Sequence, residues 1–135
     1  MYQHEIKIRV RYGETDQMGY VYYGNYAMYY EVARVESLRK LGFAYKDLEA
    51  GGVMLPVLEN HSYFIAAAKY DDLLTIKVSI PEKPSVKIGF RYEITNENDI
   101  LINKGSTILA FVNMETGKPC KPPEVMQKLL NPYFT

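Results

Sequence analysis

Within this chain of 135 residues, the carboxylate best placed for carbonyl chemistry is Asp16. It sits in the loop Gly13 to Met18, just ahead of a long helical pattern, and Tyr23 follows it by seven residues. The first N–H groups of a helix have no intrahelical partner, so they attract an anion or a polarised carbonyl oxygen. A carboxylate held beside such a start is placed to attack a carbonyl clamped there, or to activate water against it. The plainer role of an aspartate in a loop is to cap a turn. On the residues alone both roles stand.

The helix that must position this chemistry is written between Tyr26 and Gly42. Met28, Val32, Val35, Leu38 and Leu41 recur at helical spacing, with Tyr29 and Ala33 widening the apolar face. Gly24 or Asn25 can cap its start, and Gly42 is placed to end it. Arg39 and Lys40 suit the negative end of the helix dipole.

Composition bounds the remaining possibilities. The length fits one domain, residues 1–135, able to bury a core. Sixteen basic and sixteen acidic side chains cancel, which argues against a nucleic-acid partner. Cys120 is the lone cysteine, so no internal disulfide forms, and a reducing cytoplasm is the expected compartment. Cys120 and the two distant histidines, His4 and His61, give no metal-ligand spacing. No apolar run reaches the length of a membrane span, and the N-terminus shows no signal-peptide pattern. Thirteen tyrosines, many between Tyr20 and Tyr30, point to a cleft or interface with both apolar and hydroxyl character.

The rest of the chain reads as strands. Ile6, Ile8, Val10 and Tyr12 alternate with basic residues ahead of the acidic loop. Tyr45 to Gly52 reads as a brief helical turn, and Val53 to Ala68 as one long, bent strand with Pro56 at an edge or bulge. Tyr70-Asp71-Asp72 turns the chain into a strand at Leu74 to Ile80, and Pro81 to Pro84 separates that from Val86 to Thr95. Asn96 to Asp99 is a polar turn leading into Ile100 to Met114, with Gly105 as a bulge candidate. Pro123 to Leu130 closes as a short helix. One amphipathic helix among such strands is best buried by a curved antiparallel sheet, the α+β arrangement called the hotdog fold. Its open sheet edge calls for a second copy.

The segment Tyr12-Gly-Glu-Thr-Asp16-Gln-Met-Gly19, followed by Val21-Tyr-Tyr-Gly-Asn-Tyr26, resembles the signature of the 4-hydroxybenzoyl-CoA thioesterase family and of its Tol-Pal-associated acyl-CoA thioesterases. Tyr70-Asp-Asp-Leu73 and Pro56 match as well, and the resemblance runs over nearly the whole chain. It implies hydrolysis of an acyl-CoA thioester to free acid and coenzyme A. Asp16 is then the catalytic carboxylate, and Tyr23 stands where the family has tyrosine or histidine. Gly24 and Asn25 would bind substrate at the helix start. Lys83, Ser85 and Lys87 fall in the region that meets the phosphates of coenzyme A. Gln17-Met18 departs from the small residues usual in the loop. No cofactor or metal is implied, since coenzyme A belongs to substrate and product. The expected assembly is a homo-oligomer, a dimer or a dimer of dimers (a homotetramer). The rival readings are a non-catalytic acyl-CoA-binding hotdog protein, and a hotdog hydratase or dehydratase. The latter typically uses a histidine with an acidic partner, and the Asp16 loop and helix start contain no histidine.

Overall fold

Segments of alternating side chains pair because each must bury one face while satisfying its backbone along the other two edges. A computed structural model describes residues 1–134. Strands β1 (Tyr2–Arg9), β3 (Val57–Phe64), β4 (Leu73–Ile80), β5 (Lys87–Thr95) and β6 (Leu101–Ala110) form one sheet in the order β1-β4-β5-β6-β3. Every adjacent pair in it is antiparallel. Two short strands, β2 (Val53–Met54) and β7 (Val112–Asn113), pair separately. The helices are α1 (Asn25–Leu41), α2 (Tyr45–Ala50) and α3 (Glu124–Leu130). This is the α+β architecture expected, with helix α1 packed against β1 and β4.

Several boundaries differ from the sequence reading, each for a local reason. Strand β1 starts earlier and stops at Arg9, so Tyr12 falls in a 3₁₀ turn and is 77% exposed rather than half-buried in a strand. The expected strand from Val53 to Ala68 is broken at Leu55-Pro56 into β2 and β3, because Pro56 has no N–H to carry a ladder across. The last strand likewise ends at Ala110, and β7 continues separately.

Helix α1 starts at Asn25 with Gly24 as its N-cap, and Gly42 closes it at φ 110°, a left-handed conformation that glycine adopts without strain. Its buried face keeps Tyr29, Ala33 and Leu38 of the expected one but is rotated away from Met28 and Val32. Tyr26, Tyr29, Tyr30, Ala33, Arg34, Ser37 and Leu38 are buried, whereas Met28 and Val32 are partly exposed. The tyrosines can occupy the core because their hydroxyls find partners there. Tyr30 O–H donates to Asn103 Oδ1 and meets Ser62 Oγ, and Asn103 Nδ2 donates to Ser62 Oγ at 3.0 Å. The Tyr30 ring stacks on Tyr92 with centroids 4.1 Å apart, and Tyr92 O–H meets Thr107 Oγ1 at 2.6 Å. Each such ring contributes roughly 1.5–3 kcal/mol through burial alone.

Gly105 is part of that packing rather than a bulge. It pairs in regular register with Tyr92 on one side and Ser62 on the other, and the register shifts lie elsewhere, at Val57/Glu59 and Ile94/Thr95. A Cβ on Gly105 would run into the Tyr30 hydroxyl and ring. Glycine is required there by the close approach of α1 to β6.

Candidate active site

The acidic loop is closed on itself by backbone bonds. Asp16 N–H donates to Tyr20 C=O at 2.8 Å, Gly19 N–H donates to Asp16 C=O at 2.9 Å, and Thr15 bridges Val21. Gly19 turns the chain at φ 79°. Asp16 Oδ1 accepts from the N–H groups of Met18 (2.9 Å) and Tyr20 (3.2 Å). So Asp16 does cap its own turn, and with one oxygen only. No hydrogen bond engages Oδ2 among the described residues. One carboxylate oxygen fixes the side chain and the other stays available for chemistry.

The start of α1 supplies the complementary group. Asn25 N–H bonds back to Tyr22 C=O, and Tyr26 N–H to Tyr23 C=O. Among the described residues the N–H groups of Tyr23 and Gly24 take no backbone partner. They add to the positive end of a helix of 17 residues. Gly24 also leaves room that a larger residue would contest, since a Cβ there would lie 2.9 Å from the ring of Tyr22.

Asp16 and Tyr23 line one cavity of about 340 Å³, together with Met18, Tyr20, Tyr26 and Phe64. Its walls are aromatic: the Tyr23 and Tyr26 rings both meet Phe64 edge-on, at 6.3 and 5.6 Å between centroids. Tyr26 is pushed up to about 12, first by burial and then by the neighbouring Tyr30. It therefore keeps its proton at any working pH and lines the cavity as a neutral phenol. Neither histidine lines this cavity, and His61 instead stands exposed beside Glu59 at 3.2 Å. Asn25 does not line it either. Its Nδ2 donates to Glu14 C=O at 2.8 Å, so the amide expected to meet substrate is committed to the loop.

The expected phosphate residues gather in a second cleft. Lys83, Ser85 and Lys87 line a space of about 420 Å³ with Arg91, Gly89 and Ser106. Strand pleat explains the grouping. Lys87, Gly89 and Arg91 alternate on one face of β5, opposite Ala110, Ile108 and Ser106 of β6. Gly89 forms the floor of the trough: an added Cβ would have only Thr107 C=O as a neighbour, at 4.0 Å, so any side chain there fills the cleft. Arg91 escaped the sequence reading because its place beside Lys87 depends on strand register. The larger cleft shares no lining residue with the Asp16 cavity, so within one chain the two stand apart.

Glu14 is the other residue that sequence reasoning passed over. It is buried, with Oε1 accepting from Arg11 N–H (2.9 Å) and Tyr29 O–H (3.0 Å), and Oε2 from Arg11 Nε (3.1 Å) and Nη2 (2.8 Å). Its placement three residues after Arg11 was the one available signal.

Asp16 and Tyr23 thus share one aromatic cavity on an α+β scaffold, while Gly24, expected to meet substrate there, is not among the residues that line it; comparison with known proteins places the chain. The thioesterase-like superfamily matches residues 10–130, and the chain belongs to that family. The Escherichia coli O6:H1 protein YbgC, an acyl-CoA thioester hydrolase, is 32% identical over 112 residues, covering 83% of this chain and 84% of its own. The Haemophilus influenzae YbgC, an acyl-CoA thioesterase, is 30% identical over 118 residues, with 87% and 86% covered. Among solved structures, a DHNA-CoA thioesterase from Staphylococcus aureus is 34% identical and superposes with a TM-score of 0.86, over 99% of this chain and 85% of that one. The fold is that of the hotdog thioesterases.

Proposed function

We propose that this protein hydrolyses an acyl-CoA thioester to a free acid and coenzyme A. The single observation that carries the reading is the shared cavity: Asp16, with one carboxylate oxygen unengaged, faces the same space as the helix start at Tyr23. The N–H groups of Tyr23 and Gly24 receive the thioester oxygen and stabilise the charge that develops on it. Asp16 then acts on the thioester carbon. Either it attacks to give a mixed anhydride that water opens, or it takes a proton from the water that attacks directly. Both routes expel the coenzyme A thiolate, a good leaving group that needs no strong general acid. No cofactor enters this chemistry. The Tyr23 ring bounds the acyl site, and its hydroxyl orients substrate or water.

Lys83, Ser85 and Lys87, with Arg91, hold the phosphates of coenzyme A in the second cleft. The separation of the two clefts within one chain supports a dimer in which one substrate spans residues of two copies. Strands β1 and β3 are the two edges of the sheet, and β3 is the one that carries exposed apolar side chains. It pairs only with β6, and Val57, Leu58, Tyr63 and Phe64 on it are 49–66% exposed. We place the whole chain in a single domain, with the sheet curved about α1 as its central helix and β3 joining β3 of a second copy. A dimer of such dimers and a cytoplasmic location, in keeping with the lone Cys120, complete the proposal. No helix among the described residues is long and apolar enough to cross a membrane.

The test is Asp16→Asn against a panel of aromatic, short-chain and long-chain acyl-CoAs. The substitution keeps the shape of the turn and removes the charge. Turnover should fall by about 100-fold or more, the scale of a lost acid–base group, with folding and coenzyme A binding retained. Unchanged turnover rejects the mechanism. An absence of turnover by the wild type on every panel member leaves an acyl-CoA-binding protein instead.

A further inference from the structure

The same loop contains a second carboxylate that the chemistry above does not use. Glu14 is buried, and the bonds it makes run in two directions. Its side chain reaches back to Arg11, before the loop, and across to Tyr29, one turn into α1. Its backbone carbonyl accepts from Tyr22 N–H at 2.9 Å and from Asn25 Nδ2 at 2.8 Å. One residue thus joins the base of the acidic loop to both the last residue before Tyr23 and the first residue of α1.

This arrangement bears on geometry at the reacting atoms. Asp16 lies two residues beyond Glu14, and the Tyr23 N–H one residue beyond Tyr22. The separation between the acid and the N–H groups is therefore set through Glu14 from both sides. Groups that polarise a carbonyl lose most of their effect when displaced by about 1 Å. Resting on the proposed role of Asp16, we infer that Glu14 is a positioning residue, whose ties to Arg11, Tyr22, Asn25 and Tyr29 hold the Asp16 carboxylate in register with the helix start. Glu14 touches no substrate: it lies outside the lining of the Asp16 cavity.

A structural glutamate and a positioning one differ in how their loss combines with the loss of Asp16. Glu14→Gln keeps the side-chain length but exchanges one acceptor oxygen for an NH₂ facing donors. It should lower kcat by about 10- to 100-fold. KM should change much less, since the phosphate cleft is untouched. In the Asp16→Asn background the same change should alter the residual turnover by less than about twofold, because Glu14 acts only through Asp16. Tyr29→Phe removes one donor to Glu14 Oε1 and should repeat this pattern at smaller amplitude; it carries the test if Glu14→Gln does not fold. An equal factor in both backgrounds overturns the inference, and so does an unchanged kcat for both single variants where Asp16→Asn is inactive. Full activity of Asp16→Asn itself would remove the underlying mechanism, and this inference with it.

Discussion

The Tyr29 hydroxyl donates to Glu14 Oε1 at 3.0 Å, inside the seam between the acidic loop and helix α1. Burial pushes the Glu14 carboxyl up, but the hydrogen bonds from Arg11 and Tyr29, with the Arg11 charge, outweigh it and hold it below the usual glutamate range. The Tyr29 phenol moves the other way, driven up first by burial and then by the Glu14 carboxylate. A charged acceptor and a neutral donor therefore stay matched throughout the working pH range.

Acid should loosen this seam. The folded carboxyl releases its proton more readily than the unfolded one, so the unfolded chain binds more protons in the acid range. The contribution is complete above the ordinary glutamate value, declines as pH falls toward the folded value, and is absent below it. Thermal unfolding followed from pH ~6 to pH ~3 should show the wild type losing more stability than Glu14→Gln. Because the Arg11 side chain is 76% exposed, added salt should shrink the difference.

The glycine floor of the second cleft predicts a binding defect. Gly89→Leu should raise KM for acyl-CoA about tenfold, or about 1.4 kcal/mol, with a smaller effect on kcat. A short thioester without the nucleotide should be hydrolysed as before. Lys87→Ala with Arg91→Ala should weaken acyl-CoA binding most at low ionic strength. Steady-state kinetics on both substrates checks these outcomes, and an equal loss on the short thioester would exclude phosphate contact.

Gly105→Ala should destabilise by overpacking, since its methyl meets the Tyr30 ring and hydroxyl. A loss of about 1–3 kcal/mol is expected in denaturant unfolding. Ser106→Ala, one residue along, should stay within about 0.5 kcal/mol.

Strand β3 predicts the assembly. Leu58→Lys with Tyr63→Lys places two charges on an exposed apolar edge. Sedimentation should show a shift toward monomer, and specific activity should fall with it. A fully associated double variant would direct the search to another face.

Much of this was legible from local signals. The acidic loop, the helix stop at Gly42 and the turns at Tyr70-Asp71-Asp72 and Asn96 to Asp99 each depend on neighbouring residues, and each is present. What needed the fold was anything set by distant partners. Spacing favoured Met28 and Val32 as core because it weighs apolarity alone. The tyrosine face won because Ser62 and Asn103, far along the chain, satisfy its hydroxyls. Arg91 required the β5–β6 register, and Glu14 required Tyr29 to lie above it.

Phe64 belongs both to the open edge of the sheet and to the wall of the Asp16 cavity. If copies join along that edge, self-association and ligand occupancy cannot vary independently. A molecule seated against Phe64 favours whichever associated form holds it best, by the logarithm of its concentration over its dissociation constant. Dilution would then weaken affinity, and saturating ligand would hold the complex together at concentrations where the free protein falls apart.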